Sequence, residues 1–245
     1  MKLLIDADIY AFRCLAATEE ETDWGDDIWS LSTDLKVAKQ AFQGELVKFT
    51  EKLGFDDHIL CFSSPTNFRR DINPDYKSAR KKTRKPLGYV AFVNWAKETY
   101  PFMVKDGLEA DDCLGILATQ PANVGKCIVV SDDKDLKTIP CQLYRPMADE
   151  RLTVSEAEAD KWFYTQTLTG DPTDGYAGCP TIGAKRAETI LGTRPDWSLV
   201  ERTYIKNGLT RDDAIMQARM ARILRWSDWD HDNQKPKLWE PSHAA

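Results

Sequence analysis

The sequence predicts an α/β fold: a parallel-sheet core flanked by helices. Three features point to it. Short apolar runs end abruptly at acids or serines, helical spacings lie between them, and the last third turns helical. The first run, Leu3-Leu4-Ile5, stops at Asp6. The second, His58 to Phe62, meets Ser63-Ser64-Pro65, and the third, Cys127 to Val130, meets Ser131-Asp132-Asp133. Apolar runs without alternation suit strands covered on both faces, as in parallel sheets. Between the first two runs, Leu35, Ala38, Phe42, Leu46, Phe49 and Leu53 fall on one helical face. Gly54 follows, where a left-handed helix cap is favoured. A second helix is predicted over Leu108 to Gln120. Strands alternating with helices build an α/β core.

After about residue 155 the pattern changes. Ser155 and Glu158 make a capping box that opens a helix through Leu168. A turn-rich stretch, Gly170 to Gly183, follows. Helices are predicted near Lys185–Leu191, Trp197–Lys206 and Asp212–Trp226, with one short strand near Gln142–Arg145. The chain therefore divides into an α/β core, 1–165, and a helical lobe, 166–245, whose tail after Asp230 reads as irregular.

The 245 residues carry 42% hydrophobic and 29% charged side chains, which excludes a fibrous or wholly disordered chain. No window approaches the roughly 20 apolar residues that span a bilayer. The opening MKLLIDADIYAFR has acids too early for a secretory segment, so a cytoplasmic location is expected. The six cysteines contain no C-x-x-C pair and read as reduced, buried side chains. The three histidines lack any zinc spacing. The net charge of −6 argues against a generic nucleic-acid binder. Its distribution reverses that inference. From Arg69 to Lys85, eight bases face two acids. A basic block on an acidic body suits contact with a polyanion.

The acids carry the main signal. Asp6 follows the first strand, Asp133 and Asp135 follow the third, and Glu109, Asp111 and Asp112 open a helix. Asp171 and Asp174 lie in the turn-rich stretch. In open α/β sheets the crevice lies at the carboxyl ends of the strands, which puts Asp6, Asp133 and Asp135 on one rim. Spacing leaves open whether the Glu109 helix starts at that rim. Like charges about 4 Å apart repel by roughly 4 kcal/mol at an effective dielectric of 20, so gathered carboxylates need protons or cations. Oxygen ligands without His or Cys favour Mg²⁺ or Mn²⁺. Paired ions of this kind serve phosphodiester hydrolysis. Gly178 to Lys185 nearly spells a P-loop, but Ala184 breaks the motif and no apolar strand precedes it. No nucleotide cofactor is expected.

LLIDADIYAFR, NFRRDINPDYKSAR, LEADDCLG, VSDDKDL and GDPTDGYAGCPTIGAKRAETIL, in this order, resemble the 5′-nuclease superfamily of flap endonucleases and 5′→3′ exonucleases. The likeness is greatest to exonucleases of short-tailed phages and covers nearly the whole chain. It implies a PIN-like core, a helical arch at about 66–90 and a helix-three-turn-helix at about 175–192. It implies 5′→3′ exonuclease and 5′-flap endonuclease activity in phage replication or recombination. Double-stranded DNA with 5′ ends or flaps is the expected partner, with RNA–DNA hybrids as a second substrate in primer removal. Asp6, Glu109, Asp111, Asp112, Asp133, Asp135, Asp171 and Asp174 match the family's metal acids, for two or more Mg²⁺ ions with Mn²⁺ as substitute. Lys77 and Arg80 match its catalytic basic pair. Arg69, Arg70, Tyr76, Lys81, Gly178, Gly183, Lys185 and Arg186 are the further expected DNA contacts, with K⁺ at the helix-three-turn-helix. In one respect the sequence departs from the family: an aspartate is usual just after the second strand, and here Ser63-Ser64 stands instead. A decayed DNA-binding module and a PIN-type ribonuclease are the alternatives.

Overall fold

The computed structural model describes residues 1–79 and 83–241. Its centre is a six-stranded sheet in the order β5-β4-β1-β6-β7-β8. The strands are β1 (Lys2–Asp6), β4 (His58–Cys61), β5 (Phe102–Met103), β6 (Cys127–Val130), β7 (Cys141–Arg145) and β8 (Glu150–Val154). All neighbours pair in parallel except β7 and β8, which form an antiparallel edge hairpin. The three apolar runs are thus the three central strands. Their alternate residues serve two cores, as a sheet covered on both sides requires. Leu3, Ile5, Leu60, Ile128 and Val130 pack under α1 (Ala7–Ala16), α2 (Leu35–Leu53) and α4 (Tyr89–Thr99). Leu4, Cys61, Cys127 and Val129 pack under α5 (Ala110–Ala118) and the returning segment Ile223-Leu224.

β1 is the switch point, with β4 on one side and β6 on the other. Crevices in such sheets open at the carboxyl ends beside the switch. The two-residue β5 was not legible in the sequence, and it settles the position of the Glu109 helix. It runs parallel to β4, so the chain emerges at the carboxyl rim and α5 begins there.

The predicted helices of the last third are present as α6 (Glu156–Thr169), α7 (Ala184–Leu191), α8 (Trp197–Lys206) and α9 (Arg211–Ala221). The last is shorter than its periodicity suggests. At Arg222 the backbone becomes extended and runs back against α5. There Gly115 makes room, since a Cβ on it would stand 2.3 Å from the Leu224 carbonyl oxygen. A boundary at 165/166 falls inside α6, which packs on the 3-10 turn after β6 as well as on α7 and α9. The strand expected near Gln142–Arg145 is β7, and it extends the core sheet.

The arch differs from expectation among the described residues. It opens with a single helical turn, α3 (Arg69–Ile72), and continues in turns through Lys77. Asn73-Pro74 favours a turn over a helix, and Lys77 holds a left-handed φ of 52°. The return, Thr83 to Gly88, is non-helical. Arg80 and Lys81 lie outside the described residues. A second unforeseen element anchors the return: the hairpin β2 (Glu19–Asp23) and β3 (Trp29–Thr33). Its Glu19 accepts two hydrogen bonds from Arg84, at 2.7 and 2.8 Å, and one from Leu87 N–H. Both strands are largely exposed: β2 is polar, and β3 carries Trp29 and Leu31 at alternate positions without burying either in the core.

Candidate active site

Where β1, β4 and β6 end, the sheet opens into a cleft of about 670 Å³. Asp6, Asp8, Glu109, Asp111, Asp133, Asp135 and Asp174 line it, with Arg13, Arg69, Lys77, Arg84 and Lys85 as the bases. Asp6 is the last residue of β1 and is 2% exposed. Its Oδ2 accepts from the Ser131 hydroxyl at 2.7 Å, a bond that crosses from β1 to the end of β6. Burial, with help from Asp8 and Asp133, pushes its carboxyl up to about 7 despite that bond. Burial, then the charges of Asp133 and Asp6, likewise raises Asp111 in the first turn of α5. Asp133 caps the 3-10 turn after β6, its Oδ1 accepting from Asp135 N–H at 2.8 Å. Asp135, raised to about 6 by burial and then by Asp133, is fixed by Gln166 at 2.6 Å. These are carboxylates crowded beyond what proteins tolerate in the ionised state without a counter-charge.

Glu109 is the exception. Burial would raise it, but Lys77 and then Arg69 hold it down to about 2. Lys77 Nζ lies 2.5 Å from Glu109 Oε1 and 3.6 Å from Asp174 Oδ2. The lysine is aimed by its own backbone, whose N–H donates to the Asp174 carbonyl at 2.8 Å. A non-glycine residue in the left-handed region is strained, and such strain concentrates at functional sites. The segment rests on the Asp171–Tyr176 turn. A Cβ on Gly175 would stand 2.7 Å from the Asp75 carbonyl, so only glycine permits that approach.

Five sequence expectations need correction. Asp112 does not line the cleft. It is fully buried, and its oxygens accept from both Arg69 terminal nitrogens at 2.7 and 2.8 Å and from Leu224 N–H at 3.1 Å. Arg69, 3% exposed, also donates to the Met220 and Arg222 carbonyls, so this base ties α3 to α5 and α9 instead of facing solvent. Tyr76 is buried and spends its hydroxyl on Glu109 at 2.8 Å. Gly178 is buried too, its N–H donating to Gln217 Oε1 at 2.8 Å. A Cβ on it would meet the backbone of Gly170 at 2.3 Å, so its smallness serves packing. Asp171 stays behind the cleft wall, with Oδ1 accepting from Thr173 N–H and Oδ2 3.5 Å from Lys134. Arg70, Gly183, Lys185 and Arg186 are exposed, the last two in the first turn of α7.

The sequence reading missed Asp8, Arg13 and Tyr89. Asp8 was legible in part: it lies two residues past a strand-end aspartate, and a helix starting without a loop keeps it at the same rim. Tyr89 carried no local signal. Among the described residues, no three acid, His or Cys side chains close on one point; the acids line the cleft wall. The donor set is all oxygen and hard, and it fits Mg²⁺ or Mn²⁺ ahead of softer ions.

Residues 1–161 match the family model of the 5′-3′ exonuclease N-terminal resolvase-like domain. The chain belongs to the 5′-3′ exonuclease family. It is 30% identical to the exodeoxyribonuclease of Enterobacteria phage T3 over 98% of this chain and 92% of that one. It is equally similar to the exonuclease of Escherichia phage T7, over 98% and 93%. Among solved structures, a bacteriophage T5 D15 flap endonuclease complex with DNA and metal ions matches 90% of the chain at a TM-score of 0.70 and 15% identity. That likeness shows the shared fold. Among the described residues no helix is long and apolar enough to cross a membrane.

Proposed function

We infer that this exonuclease hydrolyses phosphodiesters near DNA 5′ ends, with 5′-flap endonuclease activity, using divalent metal ions held in the acidic cleft. The observation that carries this reading is the meeting of acids from four separate segments beside one lysine. Asp6, Asp111, Asp133, Asp135 and Asp174 all line the same cleft as Lys77. Asp6, Asp111 and Asp133 are the residues to hold metal, with Asp135 and Asp174 on the side nearer the helical lobe. Bound there, Mg²⁺ would supply an activated water and steady the leaving oxygen.

The chain's own residues do the rest. Lys77 is held by Glu109 and Asp174, so its charge stays in the cleft before substrate arrives. A scissile phosphate entering beside it gains a donor already in place, which favours the transition state. Arg13, Arg84 and Lys85 extend positive charge along the cleft wall for the strand's backbone. Across the turn from α6 to α7, exposed Lys185 and Arg186 sit at a helix N-terminus, an arrangement that suits a duplex phosphate. This pair of helices is the helix-three-turn-helix of the proposal, contacting backbone and leaving sequence unread. An RNA–DNA hybrid, whose phosphates are equivalent, is a second substrate of the same reading.

The test is cleavage of a 5′-labelled flap in Mg²⁺ by the wild type and by Asp133→Asn with Asp135→Asn. Hydrolysis should fall at least a hundredfold in the double variant with flap binding retained. Undiminished cleavage would reject the assignment.

A further inference from the structure

We propose that Asp8 supplies, from the neighbouring strand's helix, the carboxylate missing from the end of β4. This rests on the reading of the cleft as a divalent-metal nuclease site.

The end of β4 carries Ser63 and Ser64. Neither side chain is an acid, and each is engaged in loop structure. Ser63 Oγ accepts from Ala110 N–H at 3.0 Å, which locks the start of α5, and Ser64 Oγ lies 3.2 Å from Asp106. The Ser63 backbone does something different. Its N–H donates to Asp8 Oδ2 at 2.8 Å, across 55 residues of sequence. Asp8 thus occupies the space just beyond β4 although it belongs to α1.

Topology makes this reach short. β1 and β4 are adjacent and parallel, with Asp6 in register with Cys61. α1 begins at Ala7, directly after the strand, so Asp8 stands in the first helical turn at the same rim. A second donor aims the group: Tyr89 Oη donates to Asp8 Oδ1 at 2.8 Å. One donor on each oxygen fixes the carboxylate's orientation and leaves further lone pairs for a cation. Hydrogen-bond donors behind a ligating carboxylate orient it in this way. Asp8 also lies close enough to Asp6 for its charge to act there.

The experiment titrates Mn²⁺ into the full chain without DNA, followed by Mn²⁺ electron paramagnetic resonance, with flap cleavage measured alongside. Wild type comes first. If it binds no Mn²⁺ and cleaves no flap, the reading of the cleft itself fails. If it does both, Asp8→Asn should weaken the tightest Mn²⁺ binding at least tenfold, and Ser63→Asp added to that variant should recover most of the loss. Binding within twofold of wild type in Asp8→Asn overturns the proposal while leaving the nuclease reading intact. Should Asp8→Asn not fold, Tyr89→Phe keeps the charge but removes one aiming donor. It should weaken Mn²⁺ binding at least threefold, and unchanged affinity there overturns the proposal equally.

Discussion

Replacing Asp112 by asparagine separates a structural acid from a metal ligand. The family pattern groups Asp112 with Asp111, yet the fold buries it completely against Arg69 in a two-pronged ion pair at 2.7 and 2.8 Å. Asparagine keeps the shape but removes the charge. Arg69 would then sit 3% exposed with Glu109 at 3.5 Å as its nearest remaining carboxylate. Removing one partner of a buried pair costs about 3–5 kcal/mol. For a chain of this size each kcal/mol lowers Tm by roughly 2–4 °C, so a fall of about 6–20 °C is expected. Mg²⁺ affinity, read by titration below the new Tm, should stay within threefold of wild type, because Asp112 does not line the cleft. Scanning calorimetry and single-turnover flap cleavage measure the two quantities. A variant with unchanged Tm and tenfold weaker Mg²⁺ binding would refute the reasoning and return Asp112 to the metal set.

Three further outcomes follow from the same geometry. Lys77→Ala should slow flap cleavage by ten- to a hundredfold and, by removing the main charge that holds Glu109 down, raise the Glu109 pKa; nuclear magnetic resonance titration of the labelled carboxyl reads this, and an unmoved Glu109 contradicts it. Asp6 and Asp135 are raised to about 7 and 6 in the folded chain, above their ordinary 3.8, so the folded state binds more protons than the unfolded one. Metal-free protein should therefore lose stability as pH rises from about 4 to 7, and Mg²⁺ should raise Tm more at pH 8 than at pH 5; equal increments at both pH values would tell against crowded acids. Gly115→Ala places a Cβ 2.3 Å from the Leu224 carbonyl and should destabilise by more than about 2 kcal/mol in denaturant unfolding, where an unchanged midpoint would show that the returning segment yields freely.

The legible parts of this protein are those set by strong local patterns. Leu3–Ile5, His58–Phe62 and Cys127–Val130 announce themselves as buried strands because both faces must be apolar. Ser155 with Glu158, and the spacing from Leu35 to Leu53, announce helices. The acids at strand ends then follow from topology, and Asp6, Asp133 and Asp135 do reach one rim. What escaped depends on contacts between distant residues. β5 is two residues long and exists through pairing with β4. The exposed β2–β3 hairpin is held by its own ladder and by Arg84, neither of which shows in hydropathy. Asp111 and Asp112 are neighbours of one residue type, and only the helix orientation sends one to the cleft and the other to Arg69. The same holds for Arg69 within the basic block: a base count cannot tell a buried ion pair from a solvent-facing one. Asp8 escaped because it reaches the end of β4 from another strand's helix, through a hydrogen bond across 55 residues of sequence.

On this reading the carboxylates at the ends of β1 and β6 and at the start of α5 gather hard cations. Diffraction from crystals soaked in Mn²⁺, with anomalous maps at the manganese edge, tests it most directly. At least one strong peak is expected within about 2.5 Å of oxygens from Asp6, Asp111 or Asp133. A cleavage-competent preparation whose maps hold no peak in this cleft at saturating Mn²⁺, or hold one only elsewhere, would contradict it.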